Sequence, residues 1–453
     1  MQVSVETLND LERRVTVQVP AERVAKEIQD RLLSLSRRVK VDGFRPGKVP
    51  MKMIQRLYGD QVRYEAVTEL MENSLHEALV QQQLNPLGGP RIEPRNLQEG
   101  QDLEYSATFE VMPEFQPTGF DTITVERPVA EVADQDVDDM IQNLRRQRGS
   151  WNVAERPARE GDRVRIDFTG RIDGEEFPGG KAENTEVVLG QGTMLKDFET
   201  PLHGLSAGAE TEFDLTFPAD YGSAEIAGKT ARFHVRLHAV EELTLPEVDD
   251  EFAAAFDVQE GGIAALRQSL RENMERELRD GIKNQVKRQV MQGLLKANTV
   301  PLPRALVEAE IENLARQLRL PMDKDDERSR QLKTQLFDAE ARRRVALGLI
   351  ISRIATTQQV QVGEQQVHDY LQSVAATYQD PGEVVRWYEK NPQAMESVRA
   401  LVLEDQIVDW LLQQAQVTET PSTFAAVMAP PKPAVADAES KSESATGEQE
   451  SSA

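Results

Sequence analysis

Seven apolar side chains carry the chemistry open to this chain: Phe168, Phe177, Leu195, Phe198, Phe217, Tyr221 and Phe233. All lie in residues 151–245, a stretch of short strands and glycine turns. Side chains on a strand alternate between faces. Val164, Ile166 and Phe168 therefore face one way while Arg163, Arg165 and Asp167 face the other. Phe213, Leu215 and Phe217 oppose Asp214 and Thr216, and Phe233, Val235 and Leu237 oppose His234, Arg236 and His238. Between these strands, after Gly190-Gln191-Gly192, Leu195, Phe198 and Leu202 fall at i, i+3 and i+7, the inner face of a short helix. Phe177 and Tyr221 read as loop residues beside Gly and Pro, where pocket rims are built. Any one of these rings would serve as core. The set predicts an aromatic concavity, because the domain has few other large residues.

Most reaction classes lack their groups. The chain has no cysteine, so thiol chemistry and thiolate metal sites are excluded. His234 and His238 share a strand face, but on the solvent side and with no third ligand nearby in sequence, so no metal is expected. Gly179-Gly180-Lys181 and Gly190-Gln191-Gly192 have neither phosphate-loop nor dinucleotide spacing, and no cofactor is expected. No nucleophile–base pair stands out, and no Gly-x-Ser-x-Gly occurs. One reaction needs none of these groups, rotation about an X–Pro bond. Its barrier of about 18–20 kcal/mol is lost amide resonance, and unaided it takes tens to hundreds of seconds. A dry pocket that holds the proline ring and favours the twisted amide gains about tenfold per 1.4 kcal/mol of preference.

A second stretch reads as a contact. Gly43-Phe44-Arg45-Pro46-Gly47-Lys48-Val49-Pro50 holds two glycines and two prolines in eight residues, so it is a loop. It carries a ring, Phe44, beside a fixed cation, Arg45. From Arg37 to Lys52, Arg37, Arg38, Lys40, Arg45, Lys48 and Lys52 stand against Asp42 alone, a local +5 in a chain of net charge −24. A positive spot on an acidic protein suits a negative partner. A basic solvated connector is the plainer alternative.

The elements that position these features divide the 453 residues into several domains. Residues 1–113 read as a mixed α+β unit: two strands within 2–19, a helix from Pro20 through Leu35, the basic loop, a second helical stretch from Pro50, an irregular run from Pro86 to Pro94, and a strand through Tyr105–Val111. Residues 114–150 read as a connector and an isolated polar helix with Asp134 as its N-cap. The strand-rich domain fills 151–245. Residues 246–420 read as helical, opening on a stripe from Ile263 to Leu294 that recurs almost entirely at i+4. Each such step overshoots a turn, so from Leu266 the stripe winds roughly 280° over about 45 Å and must meet different partners along its length. The later helices suggest an open arrangement of helix pairs. Residues 421–453, rich in Pro, Ala, Ser and Glu, read as a disordered acidic tail.

Composition adds limits. Charged residues make up 29% and aromatics 5%. The acidic balance argues against broad nucleic-acid binding. No run of about 18 apolar residues occurs, so no membrane span is expected, and the N-terminus shows no secretion signal.

Asp167-Phe168-Thr169-Gly170, Gly174-Glu175-Glu176-Phe177, Gly190-Gln191-Gly192 through Phe198-Glu199, Thr216-Phe217-Pro218 and Tyr221-Gly222 resemble the FKBP-type prolyl isomerases. The loop from Gly43 to Pro50 resembles the ribosome-docking signature of bacterial trigger factors, and so does Asn273-Met274-Glu275-Arg276-Glu277-Leu278. The order of docking domain, FKBP-type insert and helical region matches that family to about residue 420. The resemblance implies a multidomain α+β chain: an α+β ribosome-docking domain, an FKBP-like antiparallel sheet with a short helix, and an all-α body with arms. It implies a cytoplasmic, partly ribosome-associated chaperone that binds nascent and unfolded polypeptides, isomerises X–Pro bonds and assists folding and export. Phe44 and Arg45 would meet a large-subunit protein and adjacent rRNA at the tunnel exit, and the family suggests a weak homodimer off the ribosome. Two departures stand out. Pro178 replaces the usual Asp of FKBP proteins, and Phe198 replaces the Trp of their pocket floor. Trigger factors commonly differ in these ways, so an active but distinct pocket is expected. A free-standing isomerase with a folded partner, or a holdase with a relic pocket, are the competing readings.

Overall fold

The computed structural model describes residues 1–41, 44, 48–223, 225–256, 258, 260–318, 326–376, 378 and 380–430. Gly43, Arg45, Pro46 and Gly47 of the basic loop, and the tail from 431, lie outside the described residues. The chain forms two compact units, Met1–Arg127 with Asn284–Glu419, and Pro128–Lys283 with Thr420–Ala453.

The first unit begins with β1 (Gln2–Thr7), β2 (Glu12–Val19), α1 (Ala21–Arg38), α2 (Met51–Gln81), β3 (Leu87–Asn96) and β4 (Leu103–Glu110). The sheet order is β1-β2-β4-β3, antiparallel throughout. Alternation in β2 and β4 buries Val15, Val17, Val19, Leu103, Tyr105, Ala107 and Phe109 with Leu70, Leu75 and Ala78 of α2. The buried Tyr105 phenol donates to the Met71 carbonyl (2.9 Å) and pairs with the Ser74 hydroxyl (2.8 Å). The segment expected to be irregular from Pro86 is the edge strand β3. Its register with β4 shifts twice. An edge position tolerates Pro90 and Pro94, which lack the N–H a central strand needs.

β5 (Thr124–Val129) leads to α3 (Asp134–Arg148). Its N-cap is Ala133 rather than Asp134, and the Asp136 carboxylate accepts from the Ala133 N–H (2.8 Å). α3 is not isolated. Val137 and Ile141 are buried in the second unit. They share a core with Phe252 of α5 (Asp250–Ala254) and with Leu266, Met274 and Leu278 of α6 (Gly262–Ala297).

Between α3 and α5 lie β6 (Ser150–Val153), β7 (Arg163–Ile172), β8 (Glu175–Val188), α4 (Lys196–Glu199), β9 (Glu210–Thr216) and β10 (Thr230–Thr244). They form an antiparallel sheet ordered β6-β10-β7-β8, with β9 also on β10.

α6 meets different neighbours along its length. In the second unit Leu266–Ile282 pack with α3 and α5. In the first unit Gly293 lies against Ile123, where a Cβ would come within 2.8 Å of its Cγ2. There Lys287 also pairs with Asp405 (3.1 Å), and the Asn298 side chain bonds both the N–H and the carbonyl of Thr118. α7 (Arg304–Gln317) and α8 (Glu327–Thr357) share one apolar cluster. α9 (Glu364–Ala375), α10 (Pro381–Lys390) and α11 (Pro392–Leu412) share another. Order extends past 420. β11 (Gln416–Pro421) pairs β5, and α12 (Phe424–Met428) buries Val427. The expected disordered tail is thus wrong for 421–428. Val427 and Phe424 supply the apolar anchor, packed with the α3–α6 core.

Candidate functional site

All seven rings and aliphatics singled out in the strand-rich domain converge on one cavity of about 490 Å3. Phe168 from β7, Phe217 after β9 and Phe233 from β10 are buried, as is Phe198 from α4. Leu195 precedes α4, and Tyr221, 39% exposed, forms part of the mouth. Phe177 was expected in a loop. It lies in β8, within the stretch Phe177–Gly180 that bulges between the β7-paired residues Glu176 and Lys181.

Phe233 is the hub. Its ring meets Phe198 edge to face (5.2 Å between centroids, 88°) and Phe177 likewise (6.2 Å, 88°). It also lies 6.1 Å from Phe168 and 6.4 Å from Phe217. Such edge-to-face pairs are worth about 0.5–1.5 kcal/mol beyond their buried area. Glycines give the rings room. Gly170 is paired with Phe233 in the ladder, and a Cβ there would sit 2.5 Å from the Phe233 Cε1. A Cβ on Gly180 would sit 2.8 Å from the Phe177 Cε1.

The lining residues that sequence reading missed include Thr193, Met194, Ser223 and Ile226. They sit in loops, where no periodicity marks a face. Pro178 also lines the cavity. α4 ends at Glu199 and passes into a 3-10 turn over Thr200–Leu202, where Pro201 has no N–H to continue the α-helix. Among the described lining residues the polar groups are the Thr193 and Ser223 hydroxyls and the Tyr221 phenol, and none is a carboxylate, imidazole, amine or guanidinium. The arrangement can bind an apolar ring and offer it a low-polarity environment.

The second feature lies in the first unit. Leu32, Val49, Ile54 and Val62 form a small cluster joined by Val39 and Val41, so α1, α2 and both ends of the connecting loop share one core. Phe44 donates its N–H to the Val41 carbonyl (3.0 Å), yet its side chain is 39% exposed. Arg37, Arg38, Lys40, Lys48 and Lys52, on either side of it in the chain, are exposed, and Pro50 precedes α2.

Three family models match the chain. Residues 1–144 match "Bacterial trigger factor protein (TF)" and 262–413 its C-terminus. Residues 154–238 match "FKBP-type peptidyl-prolyl cis-trans isomerase". A trigger factor of Ectopseudomonas mendocina is 47% identical over 96% of this chain and 100% of its own length. One from Alkalilimnicola ehrlichii is 46% identical over 98% of each chain, and one from Thioalkalivibrio sulfidiphilus 46% over 95% and 99%. A solved chain from work on substrate recognition by the trigger factor chaperone aligns at TM-score 0.48 and 19% identity, over 91% of this chain and 99% of that one. On the family models and near-full-length relatives, the chain belongs to the bacterial trigger factor family of chaperones and carries an FKBP-type peptidyl-prolyl cis-trans isomerase domain.

Proposed function

We propose that this chaperone docks at the tunnel exit of the large ribosomal subunit, receives nascent and unfolded polypeptide there, and twists X–Pro bonds in its aromatic cavity. The carrying observation is Phe44: a ring left 39% exposed on a loop whose ends are held by the buried Val49 and the half-buried Val41. A folded domain has no internal use for such a ring. Its setting among Lys48, Lys52, Arg37 and Arg38 suits a surface of protein and rRNA. Gly43, Arg45, Pro46, Gly47 and Pro50 complete the proposed contact. This reading places the chain in the cytoplasm, partly ribosome-bound.

Two further features support it. Leu318, Leu336, Tyr378 and Trp387 are exposed large apolar side chains on the helical part of the first unit, suited to holding unfolded chain. The cavity, with Phe168, Phe177, Leu195, Phe198, Phe217, Tyr221 and Phe233 as its working surface, suits a proline ring in polarity and has room for the residues beside it. It favours the twisted amide, which has lost resonance and polarity, over the planar one. No proton transfer is involved.

A photocrosslinker at position 44 tests the docking. Crosslinks to a large-subunit protein, competed by unlabelled protein, are expected. Crosslinks no stronger than those from Asp139, on the polar face of α3, would contradict it.

A further inference from the structure

Glu199 stands out in the described chain as a carboxylate buried to 6% exposure directly behind the aromatic cavity. It is the last residue of α4, adjacent to the pocket ring Phe198. Its Oε2 accepts from the Gly190 N–H at 2.8 Å, and its Oε1 faces the Met194 N–H at 3.4 Å. The segment between those amides carries Gly192, Thr193 and Met194 of the cavity wall and leads into Leu195. The Leu195 carbonyl in turn accepts from the Phe198 N–H (2.8 Å) and the Glu199 N–H (3.1 Å). One side chain thus ties both ends of the wall-forming loop to the helix that carries the pocket ring.

We propose that Glu199 is a positioning residue of the isomerase, fixing the 190–195 loop so that Met194 and Leu195 close one wall on the substrate. It touches no reacting atom. The proposal rests on the reading of the aromatic cavity as the isomerase site.

Full-length Glu199→Gln and Glu199→Ala are compared with wild type in a protease-coupled assay on proline tetrapeptides. Hydrogen–deuterium exchange is followed on peptides from the 190–195 loop and from β7 and β10. Glutamine keeps one carbonyl oxygen but turns an NH2 toward the other backbone donor. A rise in KM of about three- to tenfold is expected for Gln, and more for Ala, with kcat changed less than KM. Exchange should rise in the loop while the sheet peptides stay protected. Unchanged KM with a freed loop would overturn the proposal. So would a loss of activity matched by exchange throughout the sheet, which marks a merely structural role. Phe233→Ala is run in parallel. If it isomerises normally, the cavity reading itself fails. If it is inactive while the Glu199 variants match wild type, only the positioning role fails.

Discussion

The rings of Phe198 and Phe233 stand at 88° with centroids 5.2 Å apart, one on a four-residue helix and the other on the long strand β10. Helix and sheet are thereby locked at the base of the cavity. Replacing Phe198 with leucine keeps most of the volume and removes the edge-to-face contacts. Isomerase kcat/KM should fall at least about tenfold, and the melting temperature should drop without loss of the fold, since each lost ring contact is worth about 0.5–1.5 kcal/mol. Proline-limited refolding and a thermal melt check both halves.

Gly170→Ala tests the fit of the rings without touching them. The new Cβ would lie 2.5 Å from the Phe233 Cε1 and 3.0 Å from the Phe177 Cε1. Both rings must shift, and overpacking of this kind costs about 1–3 kcal/mol. Isomerase activity should drop sharply, whereas Gly89→Ala, outside the strand-rich domain, with open space around it and no positive φ, should leave the peptide rate much closer to wild type.

The cavity was legible where periodicity applied. Phe168, Phe217 and Phe233 follow from period-two strands, and Leu195 and Phe198 from helical spacing. Phe177 reads as a loop residue because Pro178-Gly179-Gly180 looks like a turn, yet all four lie within β8, in an irregularity of the β7–β8 ladder between the paired residues Glu176 and Lys181. Met194 and Ile226 could not be found that way, since loop side chains are aimed by tertiary contacts. Glu199 appeared only as part of a motif, and its burial depends on the Gly190 and Met194 amides brought to it by the fold. At the C-terminal end, Gln416-Val-Thr-Glu-Thr-Pro421 has little apolar alternation, and pairing with β5 overrides that weak signal. That a loop joins α1 to α2 was legible because glycine and proline are local signals.

The isomerase rate should be flat with pH. No described lining residue is a carboxylate, histidine, lysine or arginine, and rotation transfers no proton. Between about pH 5 and 8, where an ionising histidine would show, kcat/KM on an uncharged proline peptide should vary by less than about twofold. A bell-shaped profile would point to an acid or base that the cavity does not contain.

Acid stability has a traceable source in α8. The Arg343 side-chain hydrogen bond, aided by Arg344 against the opposing effect of desolvation, lowers the Glu340 carboxyl from 4.5 to about 2. A depressed folded-state pKa contributes stability in full above the unfolded value, and that contribution is lost as pH falls toward the folded one. The loss therefore runs from about pH 4.5 down to about pH 2. Glu340→Gln should lower the urea midpoint of the helical region at pH 6 and converge with wild type near pH 2. An equal offset at both pH values would contradict the linkage.

The central claim is that Phe44 and its basic neighbours anchor the chaperone while the aromatic cavity works independently. Co-sedimentation of the full chain with purified large subunits, comparing wild type with the combined Phe44→Ala, Arg45→Ala and Lys48→Ala variant, tests it most directly. The prediction is loss of the ribosome-bound fraction at physiological salt with tetrapeptide isomerisation unchanged. Undiminished sedimentation of the triple variant would contradict it.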